Sequence, residues 1–312
     1  MTKITGVEHW TTKTTGDGEV KLFLWEKYQG SPDGKPAVLW VHGSSMASQP
    51  TFDLSVPGRA DSSVMDWFAE RGFVCWCVDM EGYGRSDKTR DIHCDIANGA
   101  ADLAAATDYI REKRGIERFL TYGISSGALR AALFAQNHPD RVSRLALDAF
   151  VWTGEGAPTL EQRRKKLPEF IANKRRPIDR AFVRSIFSRD HPDCADAATV
   201  EAFADAILAL DDSMPNGTYI DMCSKLPLVD PAMIRMPTVV LRGQFDGIAG
   251  FDDLIEFFKR LPHPDKQFTV LNGISHASFQ QKNYKMVYQI LHAYFTQPEP
   301  VYTDYRAVAG SH

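Results

Sequence analysis

The sequence has few cysteines, little net charge and no long apolar run, and each shortage excludes a class of protein. Five cysteines in 312 residues are an odd number in a chain large enough to fold without disulfides, so we expect reduced thiols in the core. No Cys-x-x-Cys pair or His-Glu-x-x-His helix occurs, so we expect no metal site. Without an apolar run of about 18 residues or an amino-terminal secretion signal, the sequence favours a soluble, cytoplasmic protein with no membrane contact.

The charge balance argues against a nucleic-acid partner. There are 36 lysines and arginines against 40 aspartates and glutamates, a formal net charge of −4. This is too small and too balanced to attract a polyanion. The 44% hydrophobic and 24% charged content is ordinary for a globular chain, which excludes disordered and fibrous classes.

Strand and helix patterns alternate along most of the chain. Residues 10–14 and 20–28 are β-rich and are joined by a Thr-Gly-Asp-Gly turn, which predicts a hairpin. Short apolar runs then alternate with helical stretches, which predicts an α/β fold with a mostly parallel sheet covered on both faces. These runs are residues 37–41, 73–78, 118–122, 142–147, 238–241 and 267–271.

The strand pattern stops between residues 151 and 235, where charged helical periodicity predicts an inserted segment. It divides the chain into a first core part, 1–150, the insert, 151–235, and a second core part, 236–312. Residues 163–189 hold ten lysines and arginines against two acids, and residues 190–230 hold nine acids against Lys225. Pairing within a solvated surface is the simplest interpretation, and an anionic ligand or a homodimer contact stays open.

A candidate nucleophile lies in residues 123–127, Gly-Ile-Ser-Ser-Gly, which fit the G-x-S-x-G pattern. The motif follows an apolar strand and precedes an alanine-rich helix, so Ser125 falls on a strand-to-helix turn. Such a turn strains the serine backbone and needs small flanking residues, and it exposes the hydroxyl above the sheet.

Two backbone N–H groups are predicted to stabilise an oxyanion. The N–H of Ser126 lies at a helix N-terminus, whose dipole favours negative charge. The second donor is predicted to be Ser44, in the Val-His-Gly-Ser-Ser stretch that ends the strand at 37–41. Ser45 replaces Ser44 if the loop is shifted by one residue.

At this point the sequence resembles the α/β-hydrolase superfamily of serine hydrolases. The resemblance covers nearly all of the chain outside the insert and includes Val-His-Gly at 41–43, Asp-Met-Glu-Gly-Tyr-Gly-Arg-Ser at 79–86, the Ser125 turn and Gly-Ile-Ser-His at 273–276. It implies an eight-stranded sheet, a helical cap formed by the insert and a triad in the order Ser, Asp, His. A glutamate at position 81, where many relatives carry an uncharged residue, is a departure that we expect to affect the pocket entrance.

A serine hydroxyl is a poor nucleophile, so a base must take its proton and a carboxylate must orient that base. Of the nine histidines, His276 alone follows a strand end in a glycine-containing loop and is the predicted base. Asp246, which follows the strand at 238–241, is the predicted acid. Asp148, at the end of the strand after the nucleophile helix, is the alternative.

A serine in this position favours acyl chemistry without a cofactor. The predicted function is hydrolysis of a carboxylic ester or lactone through an acyl-enzyme, with activity rising as His276 loses its proton. Amide hydrolysis, hydrolysis of a carbon–carbon bond in a diketone and acyl transfer use the same triad and stay open. A hydrolase-like receptor for a small hydrophobic signal is an alternative of another class.

The insert is predicted to cover the site, because it is far longer than an ordinary connection of about 4–6 residues. Trp152 leaves the strand beside the nucleophile helix, so we expect it to line a mainly apolar pocket for a medium or large hydrophobic substrate. Anchoring of the insert on the core is the alternative role for Trp152. If the basic stretch from Arg163 to Arg184 faces inward, the substrate is instead expected to carry a carboxylate or phosphate.

Overall fold

Eight of the ten strands form one mixed sheet. The computed structural model describes residues 3–302, so residues 303–312 of the second core part lie outside the described residues. The spatial order is β1-β2-β4-β3-β5-β6-β9-β10, with the β1–β2 and β2–β4 pairs antiparallel and the rest parallel. The predicted α/β class is therefore confirmed. The strands are β1 Ile4–Thr15, β2 Gly18–Gln29, β3 Ala37–Val41, β4 Val74–Val78, β5 Phe119–Ile124, β6 Val142–Asp148, β7 Arg175–Pro177, β8 Ser213–Pro215, β9 Thr238–Gly243 and β10 Lys266–Leu271.

Helices cover both faces of the sheet. In β3, Leu39 and Val41 pack into one apolar cluster, whereas Val38 and Trp40 pack into a second, because alternate side chains of a strand point to opposite faces. All five cysteines are buried, and none forms a disulfide. The helices are α1 Ser48–Phe52, α2 Val64–Ala69, α3 Ile96–Arg114, α4 Ser126–Asn137, α5 Pro158–Arg164, α6 Leu167–Ala172, α7 Arg180–Ser188, α8 Ala197–Leu208, α9 Gly217–Ser224, α10 Phe251–Arg260 and α11 Tyr284–Phe295.

The chain between β6 and β9 contains α5 to α9 and a small second sheet. Sequence patterning predicts only helices here, but β7 and β8 pair antiparallel, with Arg176 opposite Met214. Three-residue strands are too short to show an alternating pattern, which explains why they are not recognisable in the sequence. Within residues 3–302, no helix combines the length and the apolar character that crossing a membrane requires.

A buried ion cluster joins β1 to the core. The Lys13 ammonium donates to Glu81 at 2.9 Å and to Asp102 at 2.5 Å, and Arg90 donates to Glu81 at 2.7 Å. Glu81 and Asp102 are almost fully buried. The unusual Glu81 therefore joins structural elements, and it does not line the cavity that contains Ser125.

Replacing Lys13 by methionine is expected to destabilise the fold. The change leaves two buried carboxylates facing each other without their shared cation, which costs about 3 kcal/mol of the free energy of unfolding. Urea denaturation measures this, with the exposed Lys113→Met as the control. Equal midpoints for the two variants would contradict the role given to the cluster.

Candidate active site

Ser125 lies on a strained turn between β5 and α4. Its φ of 59° and ψ of −127° are unusual for a residue with a side chain. A Cβ on Gly123 would lie 2.4 Å from the Gly127 carbonyl oxygen, and a Cβ on Gly127 would lie 2.3 Å from that of Val41. Glycine is therefore required on both sides because neighbouring backbone approaches too closely for any side chain.

Three side chains predicted from the sequence form a continuous hydrogen-bonded series. His276 Nε2 lies 2.9 Å from Ser125 Oγ, and His276 Nδ1 lies 3.0 and 3.1 Å from the two carboxylate oxygens of Asp246. Ser125 directly follows β5, and the two partners follow β9 and β10. The carboxyl ends of parallel strands meet at one edge of the sheet, which brings these distant residues together.

The environment of Asp246 favours its charged form. Burial alone would raise the pKa of this carboxyl group, but His276 and two backbone N–H groups lower the pKa below its usual value. Those N–H groups belong to Ile248 and Ala249 and donate to Asp246 at 2.8 and 3.1 Å. A charged Asp246 can hold the proton of His276 on Nδ1, which leaves Nε2 free to accept the proton of Ser125.

The alternative acid, Asp148, has a different partner. The Tyr122 hydroxyl donates to Asp148 Oδ2 at 2.6 Å, and the Ser125 backbone N–H donates to the Asp148 carbonyl at 2.9 Å. Burial raises the pKa of the Asp148 carboxyl group to about 6. The structure therefore places Asp148 under the turn and pairs His276 with Asp246.

Ser44 and Ser126 lie beside each other at the site. The hydroxyl of Ser44 donates to that of Ser126 at 2.6 Å, and Ser44, Ser45 and Ser125 line the same cavity. Ser126 is the first residue of α4, so its backbone N–H has no acceptor within the helix. This placement agrees with the expected oxyanion donors, whose role stays a prediction.

His42 and Arg130 hold the loop that carries Ser44. Met80 N–H donates to His42 Nε2 at 3.1 Å, so the ring proton is on Nδ1, which donates to the Gly43 carbonyl at 2.8 Å. Burial and the Arg130 charge lower the pKa of His42 to about 3. Arg130 donates to the His42 carbonyl at 3.0 Å. Arg130 was not predicted as a residue of the site, although an arginine inside an alanine-rich, buried helix is a recognisable signal.

Ser125 and His276 open into a cavity of about 460 Å³. Its apolar wall contains Met46, Phe170, Phe182 and Ile186, as an organic ligand requires. The polar wall was not predicted in detail. It contains Gln162, Arg163, Lys166, Glu169, Arg176, Ser185, Arg189 and Tyr219.

Tyr219 is enclosed by arginines. The guanidinium carbons of Arg163 and Arg176 lie 4.2 and 3.8 Å from the centre of its ring, and its hydroxyl lies 3.3 Å from Ser45 Oγ. Burial raises the pKa of the Tyr219 phenol, but the charges of Arg163 and Arg176, with the Ser45 hydrogen bond and the charge of Arg189, lower the pKa to about 7. The wall therefore has enough positive charge to ionise a phenol near neutral pH.

Trp152 does not lie in this cavity, which corrects the expectation that it contacts substrate. Its indole N–H donates to the Val229 carbonyl at 3.1 Å, and its backbone N–H donates to Asp253 at 3.0 Å. The ring also packs against Phe257. These contacts turn the side chain towards α10, so Trp152 joins the inserted segment to the core.

The fold and the chemistry at Ser125 together define a serine hydrolase of the α/β-hydrolase superfamily, as the resemblance in the sequence implied. More particularly, the chain belongs to the family described as serine aminopeptidase S33, whose profile matches residues 56–283. It is 26% identical over 281 residues to the proline iminopeptidase of Neisseria gonorrhoeae, covering 79% of this chain and 85% of that protein.

Two solved structures illustrate the shared fold. A thermophilic esterase from Thermogutta terrifontis aligns with a TM-score of 0.65 at 20% identity, over 93% of this chain and 98% of the esterase. The 2-hydroxy-6-oxo-6-phenylhexa-2,4-dienoate hydrolase of Rhodococcus sp. strain RHA1 aligns with a TM-score of 0.66 at 17% identity, over 94% and 99% of the two chains. Such low identities establish the fold alone.

Two isosteric variants test the choice of acid. Asp246→Asn is expected to lower kcat by roughly 10³–10⁴-fold, because an amide favours the wrong tautomer of His276. Asp148→Asn keeps an acceptor for the Tyr122 hydroxyl and is expected to change kcat by less than about tenfold. Ester hydrolysis by both variants, with circular dichroism to check folding, measures this, and the reverse ranking would assign the role to Asp148.

Ultraviolet absorbance tests the charge around Tyr219. Because a phenol ionises as pH rises through its pKa, we expect a tyrosinate signal to appear near pH 7 and to be lost in Tyr219→Phe. A first tyrosinate signal only at the ordinary value of about 10 would show that the arginines do not act on the ring as described.

Proposed function

We propose that this protein hydrolyses a carboxylic ester, linear or cyclic, through an acyl-enzyme on Ser125. Ser125 Oγ attacks the carbonyl carbon while His276 Nε2 takes its proton, and Asp246 stabilises the resulting imidazolium. The backbone N–H groups of Ser44 and Ser126 hold the oxyanion. His276 then protonates the leaving alcohol, and a water molecule activated by the same imidazole releases the acid.

The observation that carries this proposal is the hydrogen-bonded series of Ser125, His276 and Asp246 at the cavity. The two distances of 2.9 and 3.0 Å lie within the reach needed for proton transfer and for orientation of the base. The backbone strain at Ser125 is a second support, because strain of this kind concentrates at functional sites.

In this proposal, the insert acts as a cap over the cavity that contains Ser125. Residues from α5, α6, α7, β7 and α9 line the cavity together with Ser44, Ser125 and His276 from the core. A substrate would therefore be enclosed between the two parts of the chain. The insert would select which acyl compounds reach Ser125.

Amide hydrolysis is the second candidate, favoured by the names of the proline iminopeptidase relatives. The chemistry of the cavity ranks it below ester hydrolysis. The substrate of an aminopeptidase presents an amine that is cationic at neutral pH, whereas this cavity has four basic side chains and one acidic one, Glu169. Like charges destabilise such a complex.

Replacing Ser125 by alanine is expected to abolish hydrolysis of p-nitrophenyl butyrate, because no other group forms the acyl-enzyme. The exposed Ser224→Ala on α9 is the control and is expected to retain wild-type kcat/KM. A fluorophosphonate is expected to label Ser125, as mapped by mass spectrometry of peptides. Labelling at Ser126 or turnover by the folded alanine variant would refute the assignment.

Comparing one ester with one amide substrate tests whether ester hydrolysis is favoured over amide hydrolysis. We expect the kcat/KM for p-nitrophenyl butyrate to exceed that for prolyl p-nitroanilide, because the basic side chains of the cavity disfavour the cationic amine of the anilide. Faster hydrolysis of the anilide, lost in Ser125→Ala, would instead make the protein an aminopeptidase.

A further inference from the structure

The basic side chains of the insert differ in whether they have an acidic partner. Arg184 forms a two-bonded ion pair with Glu201 at 2.6 and 3.0 Å, and Arg189 forms one with Asp190 at 2.8 Å. Arg180 also pairs with Glu201. The simple interpretation of the sequence, that these charges are paired within the insert, therefore holds for these three arginines.

Arg163 and Arg176 have no such partner. Within residues 3–302 neither guanidinium forms an ion pair, and Arg163 makes no hydrogen bond. Both terminal nitrogens of Arg176 already donate within the protein, one to the Pro215 carbonyl at 2.5 Å and Asn216 Oδ1 at 3.2 Å, the other to the Ser44 carbonyl at 2.9 Å and Ser45 Oγ at 3.1 Å. Its Nε is buried without an acceptor. Arg163 therefore lines the cavity with N–H groups that have no partner among residues 3–302, whereas Arg176 contributes mainly its charge.

Both arginines lie against the same cavity as the proposed nucleophile. They contact the ring of Tyr219 from two elements, α5 and β7, and line the wall with Ser125 and His276. Lys166 and Arg189 add positive charge to this wall, and Glu169 is its one carboxylate. Arg189 is offset by Asp190, and Glu169 and an ionised Tyr219 offset two of the three remaining cations, Arg163, Lys166 and Arg176. The wall still keeps an excess of one positive charge.

A guanidinium binds carboxylate and phosphate oxygens through parallel N–H bonds, which suits it to planar anions. We propose that Arg163 forms an anion subsite, supported by the charge of Arg176, so that the substrate is an ester that carries a second, anionic oxygen group. This inference rests on the proposed function, because it takes Ser125 as the nucleophile. The apolar wall would hold the carbon chain between the anion and the scissile carbonyl.

Three aryl esters of similar length test the subsite, each with its rate of release of p-nitrophenol without enzyme subtracted. These are p-nitrophenyl hemiglutarate, which is anionic, p-nitrophenyl butyrate, which is neutral, and p-nitrophenyl 4-aminobutyrate, which is cationic. We expect kcat/KM to fall in that order, with at least about a tenfold preference for the anionic over the neutral ester, as one ion pair supplies. A phosphonate analogue of the hemiglutarate distinguishes a carboxylate from a phosphate as the preferred group.

The ratio of kcat/KM for the anionic ester to that for the neutral ester is the decisive measurement. Arg163→Gln and Arg176→Gln are expected to lower this ratio by about tenfold or more. Arg184→Gln, which removes a paired arginine outside the cavity, is the matched control and is expected to leave it unchanged. Because Arg176 also holds the Ser44 carbonyl, Arg163→Gln gives the cleaner result.

Binding of glutarate, measured by calorimetry, makes the test independent of turnover. We expect wild type and Ser125→Ala to bind glutarate and Arg163→Gln to bind it at least about tenfold more weakly. An enzyme that hydrolyses butyrate through Ser125 but prefers no anion and binds no glutarate would overturn the subsite alone. Glutarate binding without hydrolysis of any ester would support the subsite and overturn the proposed function.

Discussion

The close approach of α4 to the end of β3 is the constraint on which the site depends. Gly127 lies so near the carbonyl oxygens of Val41 and His42 that no side chain fits between the helix and the strand end. This approach brings the first N–H of α4 beside the loop that contains Ser44. It also forces the chain through the strained turn that raises Ser125 above the sheet. The positions of the proposed nucleophile and of the two predicted oxyanion donors thus depend on one packing contact.

The central part of this site could be predicted from the sequence because its rules are local. Glycines around Ser125 indicate a tight turn, and His276 and Asp246 each follow an apolar strand. The parallel order of the strands then brings the three residues to one edge. Trp152 was misplaced because the end of a strand shows where the chain leaves the sheet, whereas the direction of a side chain depends on partners such as Asp253 and Val229.

The polar wall of the cavity could not be predicted, because only the three-dimensional structure shows which of its charged side chains have a partner. The sequence shows a basic stretch followed by an acidic one, but the same pattern would arise if every arginine were paired. Arg184 and Arg176 differ in their partners because one faces α8 and the other faces the core loop. Tyr219 has no charged neighbour beside it in the sequence, and its partners come from α5 and β7.

His42 stays neutral while it supports the loop that contains Ser44. Both of its ring nitrogens are committed to backbone groups, and its pKa of about 3 keeps it neutral in mild acid. The loop it supports therefore keeps its shape under conditions that protonate an imidazole free to act as a base. The support of the Ser44 loop is therefore separate from the proton transfer proposed for His276.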